Sequence, residues 1–225
     1  MLIDSIWPPY ALHLQCADME LSPVRDADLP ELAEIARNGV RRDGVQAFPA
    51  DWDTGSPEQI ARSLAQYHWA TRAGLTVERW TIEFTVRVAD RVVGVQGVSS
   101  DRYPLTRTVS TGSWLAPEEQ GRGFGTRMRS MVIDAFARHF GTHRFDTGYI
   151  SGNDASRRVS EKLGYSPNGH RRLISQDGAP RTEHQLVLFA ADYEHTDDEV
   201  IVTGAEAVRR FLGLEQERRS HNARE

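Results

Sequence analysis

The pattern of hydrophobic and polar positions changes period along the chain, and each period predicts a different element. Three runs rich in β-branched and aromatic residues predict strands at 80–88, 91–99 and 107–115, and two shorter runs at 12–16 and 19–24 predict a pair of short strands. Ala89-Asp90 lies between two of these runs and suits a tight hairpin turn. Two later alternating runs, at 144–150 and 185–189, predict further strands, and the second of them is expected to close the sheet.

Apolar residues repeat at steps of three and four in other segments, which predicts amphipathic helices. These helices begin near residues 29, 56, 124 and 153. Ser56 and Asn153 are suitable N-caps, and Gly164 suits a left-handed residue that ends the last of these helices. Residues 40–58, rich in glycine and proline, are expected to be irregular.

The order of these elements predicts a fold class and a domain boundary. Consecutive antiparallel strands followed by a β-α-β crossover describe a mixed α/β fold, with a mostly antiparallel central sheet flanked by helices. One domain is expected over 1–195. A C-terminal extension at 196–225 should contain a short strand, a helix over 205–214 and a fraying polar tail. This extension is a candidate interface for a homo-oligomer.

A glycine-rich turn, Gln120–Thr126, joins the strand at 107–115 to the helix that follows. Glycines at a helix N-terminus expose backbone amides to an anion, and phosphate is the usual ligand. A P-loop is disfavoured because no lysine follows Gly125. The G-x-G-x-G spacing also disfavours a dinucleotide-binding oxidoreductase, although Asp146 stands about where a ribose-binding acid would. A loop without any ligand is the remaining alternative.

Two motifs in order resemble the GCN5-related N-acetyltransferase (GNAT) family. Gln120-x-x-Gly123-x-Gly125 is similar to its acyl-CoA loop, and residues 153–165 resemble the N-x-x-S-x-x-V-x-x-K-L-G-[FY] signature of its RimJ/RimL-like branch. Further likeness at 99–107 and 112–115 is to an actinobacterial subgroup related to a succinyl-CoA-using member. The resemblance covers roughly residues 10–195.

The resemblance implies where acetyl-CoA or succinyl-CoA binds as the acyl donor. The loop amides would hold the pyrophosphate, with charge added by Arg122 and Arg127. Pantetheine would pair with the strand that carries Gly112, where a bulge is expected, and the Leu115 N–H would stabilise the oxyanion. The residues expected to contact the donor are Ser113, Trp114, Leu115, Gln120, Gly121, Arg122, Gly123, Phe124, Gly125, Thr126, Asn153 and Ser156. For Asn153 a plain N-cap is the alternative.

The resemblance says less about the groups that transfer protons than about the donor site. Many family members carry a glutamate base on the fourth strand, which this chain lacks; Glu83, Asp51, Asp53 and His68 are the candidates. Ser160 stands where the family often has a tyrosine that protonates the thiolate, and it is equally a small helix residue. Cys16 is not expected to be a nucleophile.

The acceptor is expected to be a primary amine on a small molecule or peptide. Residues 40–76 mix aromatic and acidic side chains that suit a cation, although core packing explains most of them equally well. A succinyl carboxylate would need an arginine, and the candidates are Arg102 with Arg107 and Arg41 with Arg42. Each of these arginines is otherwise a surface charge.

Composition limits the remaining classes of function. A net charge of -5 argues against nucleic acid as a partner, and the longest apolar run is too short to span a membrane. A single cysteine excludes an internal disulfide and a multi-cysteine zinc site. The N-terminus lacks a basic signal region, so the cytoplasm is the expected location. The main prediction is that the chain is an acyl-CoA N-acyltransferase. The alternative is a non-catalytic module that binds or senses acyl-CoA.

Overall fold

The computed structural model describes residues 1–42, 44–175, 177–195 and 199–214. They contain nine strands: β1 (His13–Cys16), β2 (Met19–Pro23), β3 (Arg79–Val88), β4 (Arg91–Asp101), β5 (Thr108–Leu115), β6 (Arg144–Ile150), β7 (Ser166–Ile174), β8 (Pro180–Phe189) and β9 (Ile201–Thr203). All nine form one sheet, in the order β7-β8-β6-β5-β4-β3-β2-β1-β9. Only β5 and β6 pair in parallel, so the expected mostly antiparallel sheet is confirmed.

Within these described residues, seven α-helices accompany the sheet: α1 (Ile3–Ile6), α2 (Leu29–Arg37), α3 (Pro57–Ala73), α4 (Tyr103–Thr106), α5 (Phe124–Ala135), α6 (Asp154–Lys162) and α7 (Ala205–Phe211). The Ser56 hydroxyl accepts from the Gln59 amide at the start of α3. Gly164 has φ +84 after α6. A π-helical turn, Phe136–Phe140, extends α5. No helix within the described residues is long and apolar enough to cross a membrane.

The helices cover the two faces of the sheet, and strand alternation decides which side chains meet which helices. Ile82 and Phe84 of β3 point into the larger core, which includes Met128 and Met131 of α5. Glu83, between them in sequence, points to the opposite face, where Tyr67 of α3 contacts it. A second, smaller core joins α2 and α3 to this opposite face. The face of the sheet beneath α5 is called the α5 face below, and the other the α3 face.

Two expectations about the sheet need correction, and part of a third concerns residues that the structure does not describe. Residues 185–189 do not close the sheet, because they are half of a longer strand, β8, whose partner β7 forms the edge. Gly112 is not at a bulge: the β4–β5 register is continuous there, and the register shift is between β3 and β4, at Val86/Arg87. The predicted strand and helix of the extension are β9 and α7, whereas the tail at 215–225 lies outside the described residues.

Candidate acyl-CoA site

The two parallel strands at the centre of the sheet separate towards their ends. β5 and β6 pair only at three positions, from Thr108↔Arg144 to Ser110↔Asp146. β5 then continues to Leu115 and β6 to Ile150 without pairing to each other. Thr147 bridges the start of the gap, because its hydroxyl donates to the Thr111 carbonyl at 3.0 Å. Beyond that bond the β5 edge is open.

Alternate backbone groups of β5 are directed into this gap. The Ala116 amide bonds to the Val93 carbonyl of β4, and an antiparallel ladder alternates between residues that bond to the partner and residues that do not. The amides of Leu115 and Ser113 therefore point away from β4, towards the gap. The Thr111 carbonyl does the same, as its bond from Thr147 shows. The β5 edge therefore carries two amides, at Ser113 and Leu115, that neither neighbouring strand pairs within the described residues, and pantetheine binding there stays a prediction.

The glycine-rich turn lies at the end of β5, just before α5. Gly121 and Gly123 have φ +81 and +88, and Gly123 is the N-cap of α5. The amides of Thr126 and Arg127 bond back to the Gly123 carbonyl. Among the described residues, no backbone bond outside the regular elements uses the amides of residues 121–125. These amides stand at the positive end of the α5 dipole and suit an anion.

The Gln120 side chain fastens this turn to its neighbours. Its Nε2 donates to the carbonyls of Leu115 and Val40, both at 3.1 Å. Its Oε1 accepts from Arg42 Nε at 3.1 Å, which places the exposed Arg42 guanidinium beside Gly121. Arg42 was expected near the acceptor, so its place at the turn is a finding that sequence reasoning missed. Because 78 residues separate Arg42 from Gln120, no local pattern connects them.

The two arginines expected to add charge to the turn are both paired with carboxylates. Arg122 pairs with the buried Glu119 carboxylate at 2.5 Å and lies over the Phe124 ring. Arg127 turns towards the β1–β2 hairpin, where it pairs with Asp18 at 2.7 Å and donates to the Cys16 carbonyl.

Gly125 serves helix packing. A Cβ at this position would stand 3.3 Å from Val159 Cγ2 of α6. At Gly123 a Cβ would meet nothing within 4 Å. The open approach expected at both glycines is therefore found at Gly123, whereas Gly125 allows α5 and α6 to come close.

The start of α6 carries the second motif. Asn153 Oδ1 accepts from the Ser156 amide at 3.2 Å, so Asn153 is an N-cap. Its Nδ2 makes no hydrogen bond among the described residues, because the cap uses Oδ1 alone. Ser160 is 1% exposed and lies one helical turn after Ser156. Its hydroxyl donates to the Ser156 carbonyl at 3.1 Å.

A buried arginine that the sequence reasoning missed joins these elements. Arg129 of α5 is 3% exposed. Its Nη1 donates to Ser160 Oγ at 2.9 Å and its Nη2 to Ser113 Oγ at 3.5 Å. The sequence did contain one sign of this arginine. Arg129 is four positions after Gly125 and four before Ile133, so it is a charged residue on a helix face that is otherwise apolar.

On the α3 face, Glu83 is the candidate base with the most suitable surroundings. Tyr67 donates to its carboxylate at 2.6 Å. Burial raises the pKa of Glu83 to about 7, although the hydrogen bond from Tyr67 opposes this shift. Desolvation, helped by the nearby Glu83 charge, raises the Tyr67 pKa far above 10, so Tyr67 stays a hydrogen-bond donor.

Two glycines separate Glu83 from the β5 edge. Glu83 pairs in register with Gly97 of β4, and Gly97 with Gly112 of β5. A Cβ at Gly97 would lie 2.7 Å from the Glu83 carboxylate, whereas one at Gly112 would meet nothing within 4 Å. We call this row of backbone the glycine lane. Glu83 is about 10 Å from β5, since two strand spacings separate β3 from β5. Proton transfer from a group at β5 to Glu83 therefore requires a chain of water molecules.

The other base candidates are less suited to accept a proton. Arg41 forms ion pairs with both Asp51, at 2.8 Å, and Asp53, at 2.5 Å. Hydrogen bonds from Gln46 and Arg41 lower the pKa of Asp51. Burial lowers the pKa of His68 to about 4, and this ring is packed against Tyr67.

An aromatic cluster lines the α3 face near the end of β5. The rings of Trp52 and Trp114 are 5.7 Å apart, and those of Phe48 and Trp52 are 5.3 Å apart. Trp114 was expected to contact the donor, but its ring lies on the face opposite Ser113 because adjacent strand residues alternate. We call Phe48, Trp52 and Trp114 the aromatic cluster.

Arg102 and Arg107 lie at the closed end of the gap. Both flank α4, and Arg107 donates to the Phe140 carbonyl at 3.1 Å. Six residues separate Arg107 from Ser113, which is about 20 Å along a strand. The arginine that the structure does bring to Ser113 is Arg129.

Known structures share this architecture. The chain superposes on Mycobacterium smegmatis RimJ in complex with a CoA-disulfide, with TM-score 0.66 and 20% identity over 91% of this chain and 95% of that one. It also superposes on RimL, a ribosomal L7/L12 α-N-protein acetyltransferase in complex with CoA, with TM-score 0.62 and 16% identity over 77% and 94%. A third is Vibrio cholerae spermidine N-acetyltransferase with CoA and spermine, with TM-score 0.59 and 16% identity over 79% and 98%.

At these identities the superpositions establish the fold. A sequence family model, the acetyltransferase (GNAT) domain, matches residues 18–166, which include the strand gap and the glycine-rich turn. The chain therefore belongs to the GNAT acetyltransferase family and is an acyl-CoA N-acyltransferase.

Proposed function

We propose that this chain transfers an acetyl group from acetyl-CoA to a primary amine by direct attack, with the donor and the acceptor on opposite faces of the sheet. The observation that carries the proposal is the gap between β5 and β6, whose β5 edge is free, together with the glycine lane that leads from β5 across β4 to Glu83. A thioester in this gap is accessible from the α3 face.

The donor lies along β5. The amides of residues 121–125 bind the pyrophosphate, and Arg42 supplies the charge that Arg122 and Arg127 do not. Pantetheine pairs with the backbone of Ser113, and Asn153 Nδ2 donates to it. The Leu115 N–H is directed at the thioester oxygen, where negative charge develops during attack.

The amine approaches over the aromatic cluster, whose ring faces attract a cation. Glu83 takes the proton of the attacking nitrogen through water in the glycine lane, because a base with pKa about 7 is matched to this task near neutral pH. Arg41 already neutralises Asp51 and Asp53. The surface therefore favours a single amine on an apolar or aromatic body over a polycation.

The same contacts favour acetyl over succinyl as the transferred group. A succinyl carboxylate in a closed pocket needs a cation. Arg41 is held by two carboxylates and Arg107 lies at the closed end of the gap. Arg129, the arginine close to Ser113 within the described residues, already donates to the hydroxyls of Ser160 and Ser113.

The experiment is a thiol-release assay with acetyl-CoA and with succinyl-CoA against three amine classes: an N-terminal peptide, a polyamine and an aromatic monoamine. We expect release that depends on the amine, a higher kcat/KM with acetyl-CoA, and the acetyl group on the amine nitrogen by mass spectrometry. Coenzyme binding without turnover on any amine would contradict the proposal and support a sensing module.

A matched pair of variants tests the acceptor face. Trp52→Ala removes a ring of the aromatic cluster, whereas Trp69→Ala removes an exposed ring on α3 that bonds to Asp26. We expect Trp52→Ala to raise the KM for the amine about 10-fold, as for the loss of one cation–ring contact of 1–2 kcal/mol, with the KM for acetyl-CoA unchanged. Equal effects of the two variants would contradict this acceptor surface.

A further inference from the structure

The buried guanidinium of Arg129 has no anionic partner in the part of the chain that the structure describes. No carboxylate of the described residues lies within ion-pair distance of it, whereas Arg87 and Arg41 have such partners. Its two hydrogen bonds go to neutral hydroxyls, those of Ser160 and Ser113. A cation buried beside neutral groups is costly. The cost is reduced whenever an anion comes into reach.

Other polar groups around Arg129 are also unsatisfied. The Arg129 Nε and the Gln96 Oε1 are buried without a hydrogen-bond partner in the described part of the chain. The buried hydroxyls of Thr111 and Tyr165 lie beside each other. Thr111 lies two residues before Ser113 on the same strand face, and Gln96 pairs with Ser113 in register. Two buried polar atoms without partners close together are unusual in a folded protein and indicate a group that arrives with the ligand.

The position of this cluster identifies the anion. Ser113 belongs to the open β5 edge, and Arg129 connects it to Ser160 of α6. Under the proposed function, on which this inference rests, the sulfur of the coenzyme lies between these two serines. We propose that Arg129 stabilises the departing coenzyme A thiolate, directly or through the Ser160 hydroxyl, and that the coenzyme therefore leaves as an anion.

The proton and electron balance of the step is simple. The amine nitrogen forms a bond to the thioester carbon, and the C–S bond breaks with its electron pair going to sulfur. The proton lost by nitrogen passes through Glu83 to solvent. The thiolate takes a proton from solvent after release. A serine hydroxyl is a weak acid, so a fixed cation that lowers the energy of the thiolate replaces full proton transfer.

The decisive experiment measures the thiol pKa of bound coenzyme A from the ultraviolet absorbance of its thiolate. In the wild-type complex we expect this pKa to fall about one unit or more below that of free coenzyme A in the same buffer, as a cation at short range requires. Arg129→Met should abolish the shift, and Arg129→Lys should retain part of it. Arg127→Met, on the same helix but paired with Asp18, is the matched control and should keep the full shift.

Turnover gives a second readout. Arg129→Met should lower kcat about 10²-fold with acetyl-CoA and succinyl-CoA alike, which is typical for the loss of one preorganised group, and leave the KM for the donor within about 2-fold. A wild-type complex whose bound thiol has an unshifted pKa overturns the inference while leaving the proposed function intact. A loss confined to succinyl-CoA also overturns it, since Arg129 would then pair with the acyl carboxylate. Absence of coenzyme binding would instead contradict the proposed function.

Discussion

Tyr67 Oη donates a hydrogen bond of 2.6 Å to the carboxylate of Glu83, two strands away from the β5 edge. The carboxylate is nonetheless poorly solvated, so its pKa of about 7 lies above its usual value of 4.5. The folded protein therefore binds this proton more tightly than the unfolded chain does. This contribution favours folding below pH 4.5 and is lost as the pH rises to about 7.

Replacing Glu83 with glutamine should remove this pH dependence. At pH 5 the variant should be about as stable as the wild type, and at pH 8 more stable by at most about 3 kcal/mol, since each pKa unit corresponds to 1.36 kcal/mol. Urea unfolding of both proteins at the two pH values measures the difference. An identical pH dependence in the two proteins would mean that Glu83 titrates normally.

Tyr67→Phe should shift the pH–rate profile to higher pH. The Tyr67 hydroxyl lowers the Glu83 pKa by donating to the charged carboxylate, so its removal raises that pKa. Because the base must be deprotonated, the midpoint of kcat/KM against pH should move upward by about one unit. The phenyl ring preserves the contact with His68. A downward shift would contradict the assignment of the base.

Gly123→Ala should weaken coenzyme A binding about 10-fold or more. A methyl group there points into open space beside the loop amides, where the pyrophosphate would approach. Gly169→Ala is a matched control, because Gly169 has φ +91, against +88 at Gly123, and equally free surroundings. Both variants carry the same backbone strain, so thermal unfolding should change alike. Equal affinities by calorimetry would refute the pyrophosphate site.

Ser160→Ala should lower kcat about 10- to 100-fold, as for the loss of one hydrogen bond to a charged group. The KM for acetyl-CoA should stay close to the wild-type value, because the interaction is made late in the reaction. Stopped-flow single-turnover rates separate this effect from product release. Wild-type turnover would leave Ser160 as a residue that only holds Arg129.

The sequence predicts local features such as turns and caps better than the position of each strand in the sheet. The hairpin at Ala89-Asp90, whose φ values are +48 and +64, and the cap at Asn153 follow from short-range rules, and both are present. The edge strand β7 was missed. Eight of its nine residues are exposed, so neither face shows the alternation that marks a half-buried strand.

In the candidate site, too, the features within one segment were predicted, whereas the contacts between distant segments were not. The glycine-rich turn is readable because one short segment supplies all its amides. Arg42 and Arg129 were not found, since their partners are Gln120, Ser113 and Ser160 on other elements. Glu83 was only one candidate among four in the sequence. Its distinction depends on Tyr67 and on the glycine opposite it in register, which only the fold brings together.

The pH dependence of acetyl transfer in the wild type and in Glu83→Gln tests the central claim most directly. With one common amine at saturating acetyl-CoA, wild-type kcat/KM should rise with pH through a midpoint near 7, corresponding to Glu83. The variant should lose about 10²-fold or more, as expected for a missing general base, and should lack that midpoint while binding coenzyme A normally. A Glu83→Gln enzyme with wild-type rates and the same midpoint would contradict the account.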